Sequence, residues 1–134
     1  MEKLFLEGTD NTPQVTLDNA THTLHFKGDS RPEDVRKFYL PILEWLKEYE
    51  KHLYFLKDQG SSIKITANFE FEYFNSSSAK YLMDIIVTLG EISKIENIIF
   101  KLNWYYDAMD EDMLDSGEEF QEMLGIEFNF IKVD

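Results

Sequence analysis

Phe69-Glu70-Phe71-Glu72-Tyr73-Phe74-Asn75-Ser76-Ser77-Ser78-Ala79-Lys80 carries the change of pattern from which the fold can be read. Ahead of it and through it, Ile63, Ile65, Ala67, Phe69, Phe71 and Tyr73 alternate with Lys64, Thr66, Asn68, Glu70 and Glu72. That is the period-two signature of a strand with one apolar and one polar face. One side of the sheet is therefore expected to be partly open to water. Beyond it, Ala79, Leu82, Met83, Ile86 and Leu89 recur at helical spacing and predict a helix from about Ser77 to Ser93. The hydroxyl run thus stands at a strand-to-helix junction, beside free backbone N–H groups and the positive end of a helix dipole. Such a run can cap the helix through Asn75 or Ser76, cradle a phosphate, or carry one covalently.

Outward from the junction, the chain reads as strands and helices in turn. Leu4 and Leu6 suggest a short first strand. Val15 with Leu17 and Leu24 with Phe26 suggest a hairpin around Asp18-Asn19-Ala20-Thr21. Ser30-Arg31-Pro32-Glu33 reads as a capping box, with Ser30 as N-cap of a helix carrying Val35, Phe38, Tyr39, Ile42, Leu46, Tyr49 and Leu53. Pro41 predicts a kink in that helix rather than two helices. After the junction helix come a strand over Ile98 to Tyr106 and a helix over about Asp110 to Leu124, with Met109, Met113 and Phe120 among its apolar positions. Gly125 stops that helix. Ile126, Phe128 and Phe130 make a last strand. Three short strands followed by βα units give an α/β fold with a mixed sheet, parallel in its second half.

The 134 residues suit one domain spanning the whole chain, and twenty aromatic residues (eleven Phe, seven Tyr, two Trp) supply its core. A formal charge of −13 opposes binding to nucleic acid or to an anionic membrane surface, since both need clustered Lys and Arg. No run approaches the roughly 18 apolar residues of a membrane span, and Met1 to Gly8 lacks the pattern of a signal peptide. A cytoplasmic location is expected. With no cysteine, zinc–thiolate and cysteine-nucleophile chemistry are excluded.

Eight acids and no base lie between Asp107 and Glu122. Asp107, Asp110 and Asp112 lack the spacing and central Gly of a calcium loop, so a solvated helix face is the simpler reading, and no metal is expected. His22, His25 and His52 stand in no serine–base–acid context, and neither a Gly-rich phosphate loop nor Gly-x-Ser-x-Gly occurs. A metal-dependent or acid–base enzyme built on Asp107 to Asp112 is the weakest functional class, and no cofactor is expected. Trp104-Tyr105-Tyr106, with Tyr73 and Phe74, reads as mostly core, but consecutive aromatics must point to both faces of a strand, so some of these rings reach the open face or the carboxyl edge of the sheet.

Several segments together resemble one family. They are Glu7-Gly8-Thr9 with Thr12-Pro13, Gly28-Asp29-Ser30-Arg31-Pro32-Glu33, Tyr73-Phe74-Asn75-Ser76-Ser77-Ser78 and Asn103-Trp104-Tyr105-Tyr106. Asp110-Glu111-Asp112-Met113 followed by Gly117-Glu118-Glu119-Phe120 completes the set. In this order and spacing they are similar to the SiaC family of bacterial regulatory phosphoproteins. The resemblance implies a STAS-like fold of the anti-sigma-factor-antagonist type, with about three helices packed largely on one face of the sheet. It also implies partner switching: a GHKL-type kinase phosphorylates the hydroxyl residue after the junction Asn, and a PP2C-type phosphatase removes the phosphate. The unphosphorylated form activates a GGDEF diguanylate cyclase, raising cyclic di-GMP and favouring biofilm.

Carried onto this chain, the acceptor is Ser76, with Ser77 and Ser78 as alternatives. The partner surface is Phe74, Asn75, Ser76, Ser77 and Lys80. The family's best-known acceptor is threonine, where this chain has serine. An antagonist of an anti-sigma factor, controlling transcription, is the alternative output.

Overall fold

The structure is a computed structural model that describes all residues, Met1–Asp134. Its strands are β1 (Leu4–Leu6), β2 (Gln14–Asp18), β3 (Thr23–Ser30), β4 (Ile63–Phe74), β5 (Ile98–Asp107) and β6 (Asn129–Val133). Its helices are α1 (Val35–Leu56), α2 (Ser76–Ser93) and α3 (Glu111–Leu124). The strands form one sheet whose spatial order is the chain order, β1 to β6. β1, β2 and β3 are antiparallel neighbours, and β3 to β6 run parallel.

Each parallel step moves one strand in the same direction. Right-handed crossovers of that kind lay all the connecting helices on one face. Accordingly, α1 packs on α2 and α2 on α3. A single core lies between the helices and the sheet, built from Leu24, Phe26, Ile65, Phe69, Leu102 and Trp104 below and Tyr39, Leu46, Leu82, Ile86 and Phe120 above.

The opposite face carries the polar half of the alternation. One transverse row crosses all six strands in register: Phe5, Thr16, His25, Asn68, Asn103 and Asn129. The three asparagines form a ladder. Asn129 Nδ2 donates to Asn103 Oδ1 at 2.9 Å, and Asn103 Nδ2 donates to Asn68 Oδ1 at 2.8 Å.

The structure corrects two expected helix and strand boundaries. Ser30 does not cap α1. It is the last residue of β3, paired with Phe74 and fully buried. The cap is Asp34, whose carboxylate accepts from Lys37 N–H at 3.0 Å. Pairing with β4 keeps Ser30 in the strand, and the helix cap falls four residues later than the local Ser-x-x-Glu pattern would place it. From there α1 runs as one element through Pro41.

The last strand begins at Asn129 rather than Ile126. Ile126 instead packs on α2, where a Cβ built on Gly90 would lie 2.6 Å from its Cδ1. Phe128 N–H is taken by the Gln121 side chain at 2.7 Å. Those contacts hold the segment to α2 and α3 and delay its entry into the sheet. Met109, expected among the apolar positions of α3, lies before the helix and is 91% exposed.

Candidate functional site

The end of β4 is irregular in a way that shapes the junction. Gly28 lies opposite Phe71, but Asp29 lies opposite Tyr73, so Glu72 is an extra residue on β4. On the facing strand, Gly28 takes a φ of +113° that a side chain would resist. A bulge of this kind reverses the phase of alternation and re-aims the side chains that follow. Glu72 and Tyr73 are in consequence both exposed, and Phe74 turns inward.

The Phe74 ring packs against Phe71, Trp104 and Phe120, with centroids 5.7, 6.1 and 6.0 Å away. Tyr73, which the alternation assigned to the apolar face, is 48% exposed. The adjacent aromatic pair Tyr73-Phe74, breaking a strict alternation, was the available signal for this change of phase.

Helix α2 then starts from a well-made cap. Asn75 is the N-cap in extended conformation, and its Oδ1 accepts from Ser78 N–H at 2.9 Å. Its carbonyl accepts from Ala79 N–H at 3.0 Å, and its own N–H donates to the Ser30 carbonyl at 3.0 Å. The start of α2 is thereby tied to the end of β3.

The three serines have different surroundings. Ser76 and Ser77 are exposed at the first two helical positions, where main-chain N–H groups have no intrahelical acceptor. Ser78 is fully buried. Its hydroxyl donates to the Ser30 carbonyl at 3.1 Å and accepts from the Ser30 hydroxyl at 2.8 Å. Tyr39 of α1 completes the chain, its hydroxyl 2.5 Å from Ser30 Oγ. With the Ser30 and Ser78 protons already committed, Tyr39 is the donor in that contact. Burial pushes the Tyr39 phenol up to about 12, with the neighbouring Ser30 and Ser78 hydroxyls opposing, so it keeps its proton at neutral pH.

Lys80 is exposed one turn beyond Ser76, on the same side of the helix. The site therefore gathers Asn75, Ser76, Ser77 and Lys80 at the surface, with Tyr73 beside them and Phe74 beneath. Sequence reasoning left Tyr73 out of the partner surface. It also missed Ser30 and Tyr39, which lie far along the chain and carry no local signal for the site.

The acidic segment has local structural uses. Asp110 caps α3 by accepting from Met113 N–H at 3.0 Å, and Asp107 accepts from Met109 N–H at 2.8 Å. Glu111 and Asp112 occupy the first turn, where a helix dipole favours them. No group of three or more His, Cys, Asp or Glu side chains is arranged to hold a metal ion. At the same end of the sheet, Tyr105 and Tyr106 line an open cleft of about 410 Å³ with Lys27, Glu70, Glu72 and Asp107.

Sheet, helices and junction define a small α/β domain that offers hydroxyl groups at a capped helix N-terminus. The family model described as SiaC family regulatory phosphoprotein matches residues 6–133. The chain belongs to that family. It is 30% identical over 122 residues to an uncharacterised protein of Pseudomonas aeruginosa strain UCBPP-PA14, covering 91% of this chain and 90% of that protein. The crystal structure of apo-SiaC from Pseudomonas aeruginosa superposes with a TM-score of 0.79 at 25% identity, with 100% of both chains covered. A chain in the crystal structure of the diguanylate cyclase SiaD with its activator SiaC, from the same organism, gives a TM-score of 0.81 at 25% identity. That match covers 97% of this chain and 99% of the other.

Proposed function

We propose that this chain is a non-enzymatic, cytoplasmic partner-switching protein whose phosphorylation state at Ser76 decides whether it engages a GGDEF-type diguanylate cyclase. One observation carries the reading: Ser76 is an exposed hydroxyl at the first position of a capped helix, directly after Asn75. Unmodified, the chain binds and activates the cyclase, as the Pseudomonas aeruginosa SiaC described as the activator of SiaD does. A GHKL-type kinase forms the bond from Ser76 Oγ to the γ-phosphorus of ATP and breaks the bond to ADP, the hydroxyl proton leaving to a base. A PP2C-type phosphatase restores the hydroxyl with water.

The physical effect is local. A phosphate adds about −1.5 to −2 charges and three acceptors at a helix end that tolerates an anion. Helix α2 therefore stays folded while a partner seated over Ser76 meets a bulky, hydrated charge. Lys80, one turn along the same side of the helix, can share the phosphate. No helix is long and apolar enough to cross a membrane, in keeping with a diffusible role.

The test is co-expression with the cognate kinase, followed by mass spectrometry and binding to the purified cyclase. Phosphate on Ser76, constitutive binding by Ser76→Ala and weakened binding by Ser76→Asp are the expected results. Phosphate confined to a distant residue, or equal binding by both variants, would overturn the reading. Capture of a GHKL-type anti-sigma factor in place of the cyclase would move the output to transcription.

A further inference from the structure

The three consecutive hydroxyls at the start of α2 pose a selection problem that the buried relay resolves. Tyr39 donates to Ser30 Oγ, Ser30 donates to Ser78 Oγ, and Ser78 donates to the Ser30 carbonyl. All three residues are fully buried, and no buried side-chain polar atom in the chain lacks a partner. A change in this unit therefore strands a donor or acceptor out of water, which is costly. The relay joins α1, the end of β3 and the first turn of α2 at one point.

Successive side chains on an α-helix are about 100° apart around its axis. Once Ser78 is held inward, Ser77 points roughly sideways. Ser76, two steps away, points about 160° from the anchor and so most directly outward. Leu82, Ile85, Ile86, Leu89 and Ile92 fix the roll of α2 along its length, and the Asn75 cap takes up the Ser78 N–H. The Ser78 hydroxyl extends that inward face to the first turn, ahead of the first apolar anchor.

We infer that Ser30, Ser78 and Tyr39 are positioning residues for the switch: their hydroxyl relay fixes the orientation of the first turn of α2 so that Ser76, and neither of its neighbours, faces the modifying enzyme. The inference rests on the reading of Ser76 as the acceptor. It adds the reason that this serine is selected and assigns a role to two residues far from it in sequence.

Two variants of the full chain test it, Ser78→Ala and Tyr39→Phe, each read by amide hydrogen exchange and by mapping phosphate after kinase treatment. Ser78→Ala removes the anchor, and the loss of one buried hydrogen bond corresponds to about a tenfold change in a local equilibrium. The first-turn amides of α2 should exchange about tenfold faster, with those of β4 and β5 unchanged. The ratio of phosphate on Ser76 to phosphate on Ser77 should fall by a similar factor.

Tyr39→Phe keeps the ring and loses only the outermost donor, so it should move both readouts in the same direction by less. It also decides the matter if Ser78→Ala fails to fold. A lowered melting temperature with wild-type exchange at the first turn and wild-type phosphate distribution would overturn the inference, because the relay would then be stabilising only. Absence of phosphate from Ser76 in the wild-type chain counts against the switch itself, and the exchange rates then decide the relay alone.

Discussion

The indole of Trp104 lies so close to Gly117 of α3 that a Cβ built on the glycine would sit 2.5 Å from Nε1 and 2.6 Å from Cδ1. The ring is not free to retreat. Its N–H donates to the Met113 carbonyl at 3.0 Å, and its faces meet Phe69 and Phe128. In an exposed helix, Gly→Ala gains about 1 kcal/mol from propensity. Here overpacking wins. Gly117→Ala should lose about 1–3 kcal/mol of stability, seen as a lower urea midpoint at unchanged slope.

Asn75 makes the cap from which Ser76 projects. Asn75→Ala should cost about 1 kcal/mol in the same denaturation experiment, because Ser78 N–H loses its acceptor. Asn75→Asp should retain the stability, since Asp and Asn cap equally well. It should nevertheless weaken phosphorylation at Ser76, because a carboxylate then stands beside the incoming phosphate. The kinase rate therefore separates the two variants where stability does not.

Asn103 bridges Asn68 and Asn129 on the open face and is buried to 7% exposure. Asn103→Ala removes two amide hydrogen bonds and should destabilise by about 1–2 kcal/mol. Asn129→Ala lies at the exposed end of the ladder and should cost less. Thermal melts of the two variants and their double mutant would give the coupling, which should be measurable because the residues touch.

His22 provides a pH signature. Its Nδ1 is 2.5 Å from the Tyr49 hydroxyl, and burial pushes the Tyr49 phenol upward so that it keeps its proton. Partial burial first, and then the nearby His52, hold the imidazole below its ordinary value of 6.5, with Asp18 opposing. In the window just below 6.5 the unfolded chain binds more protons than the folded one. Stability therefore rises with pH through that window and is lost as pH falls. His22 sits at a φ of +56°, a conformation that asparagine tolerates. In His22→Asn, melting temperature should vary less with pH over that window than in the wild type.

The alternation from Ile63 to Phe71 was readable because one face of β4 is apolar and the other polar over that stretch. The reading failed at Tyr73 because the bulge at Glu72 is fixed by the register across the sheet with Gly28 and Asp29, of which β4 itself shows only the Tyr73-Phe74 pair as a sign. Ser30 failed for a related reason. Ser-x-x-Glu is a local signal, whereas the pairing of Ser30 with Phe74 joins residues 44 positions apart.

At the site, Asn75 was legible as a cap and the serine run as a place where a hydroxyl could matter. The difference between Ser76 and Ser78 was not legible. It depends on Ser30 and Tyr39, whose side chains reach Ser78 only after α1 and α2 have packed. The close approach of Gly117 to Trp104 was not legible either, since Trp104 belongs to another element.

Because spatial order and chain order coincide across the sheet, no strand has to be inserted between two already placed. During synthesis the sheet can grow from one edge, each βα unit docking on the strand just finished. β1 to β3 close as a meander of local contacts, and every later strand adds next to its immediate predecessor. The platform under Ser76 is assembled partway along this progression. Its relay needs only β3, α1 and α2, whereas the Trp104 and Phe120 rings that back Phe74 arrive later with β5 and α3. A chain halted after α2 would therefore contain every residue of the serine relay but leave Phe74 with only Phe71 of its three aromatic neighbours.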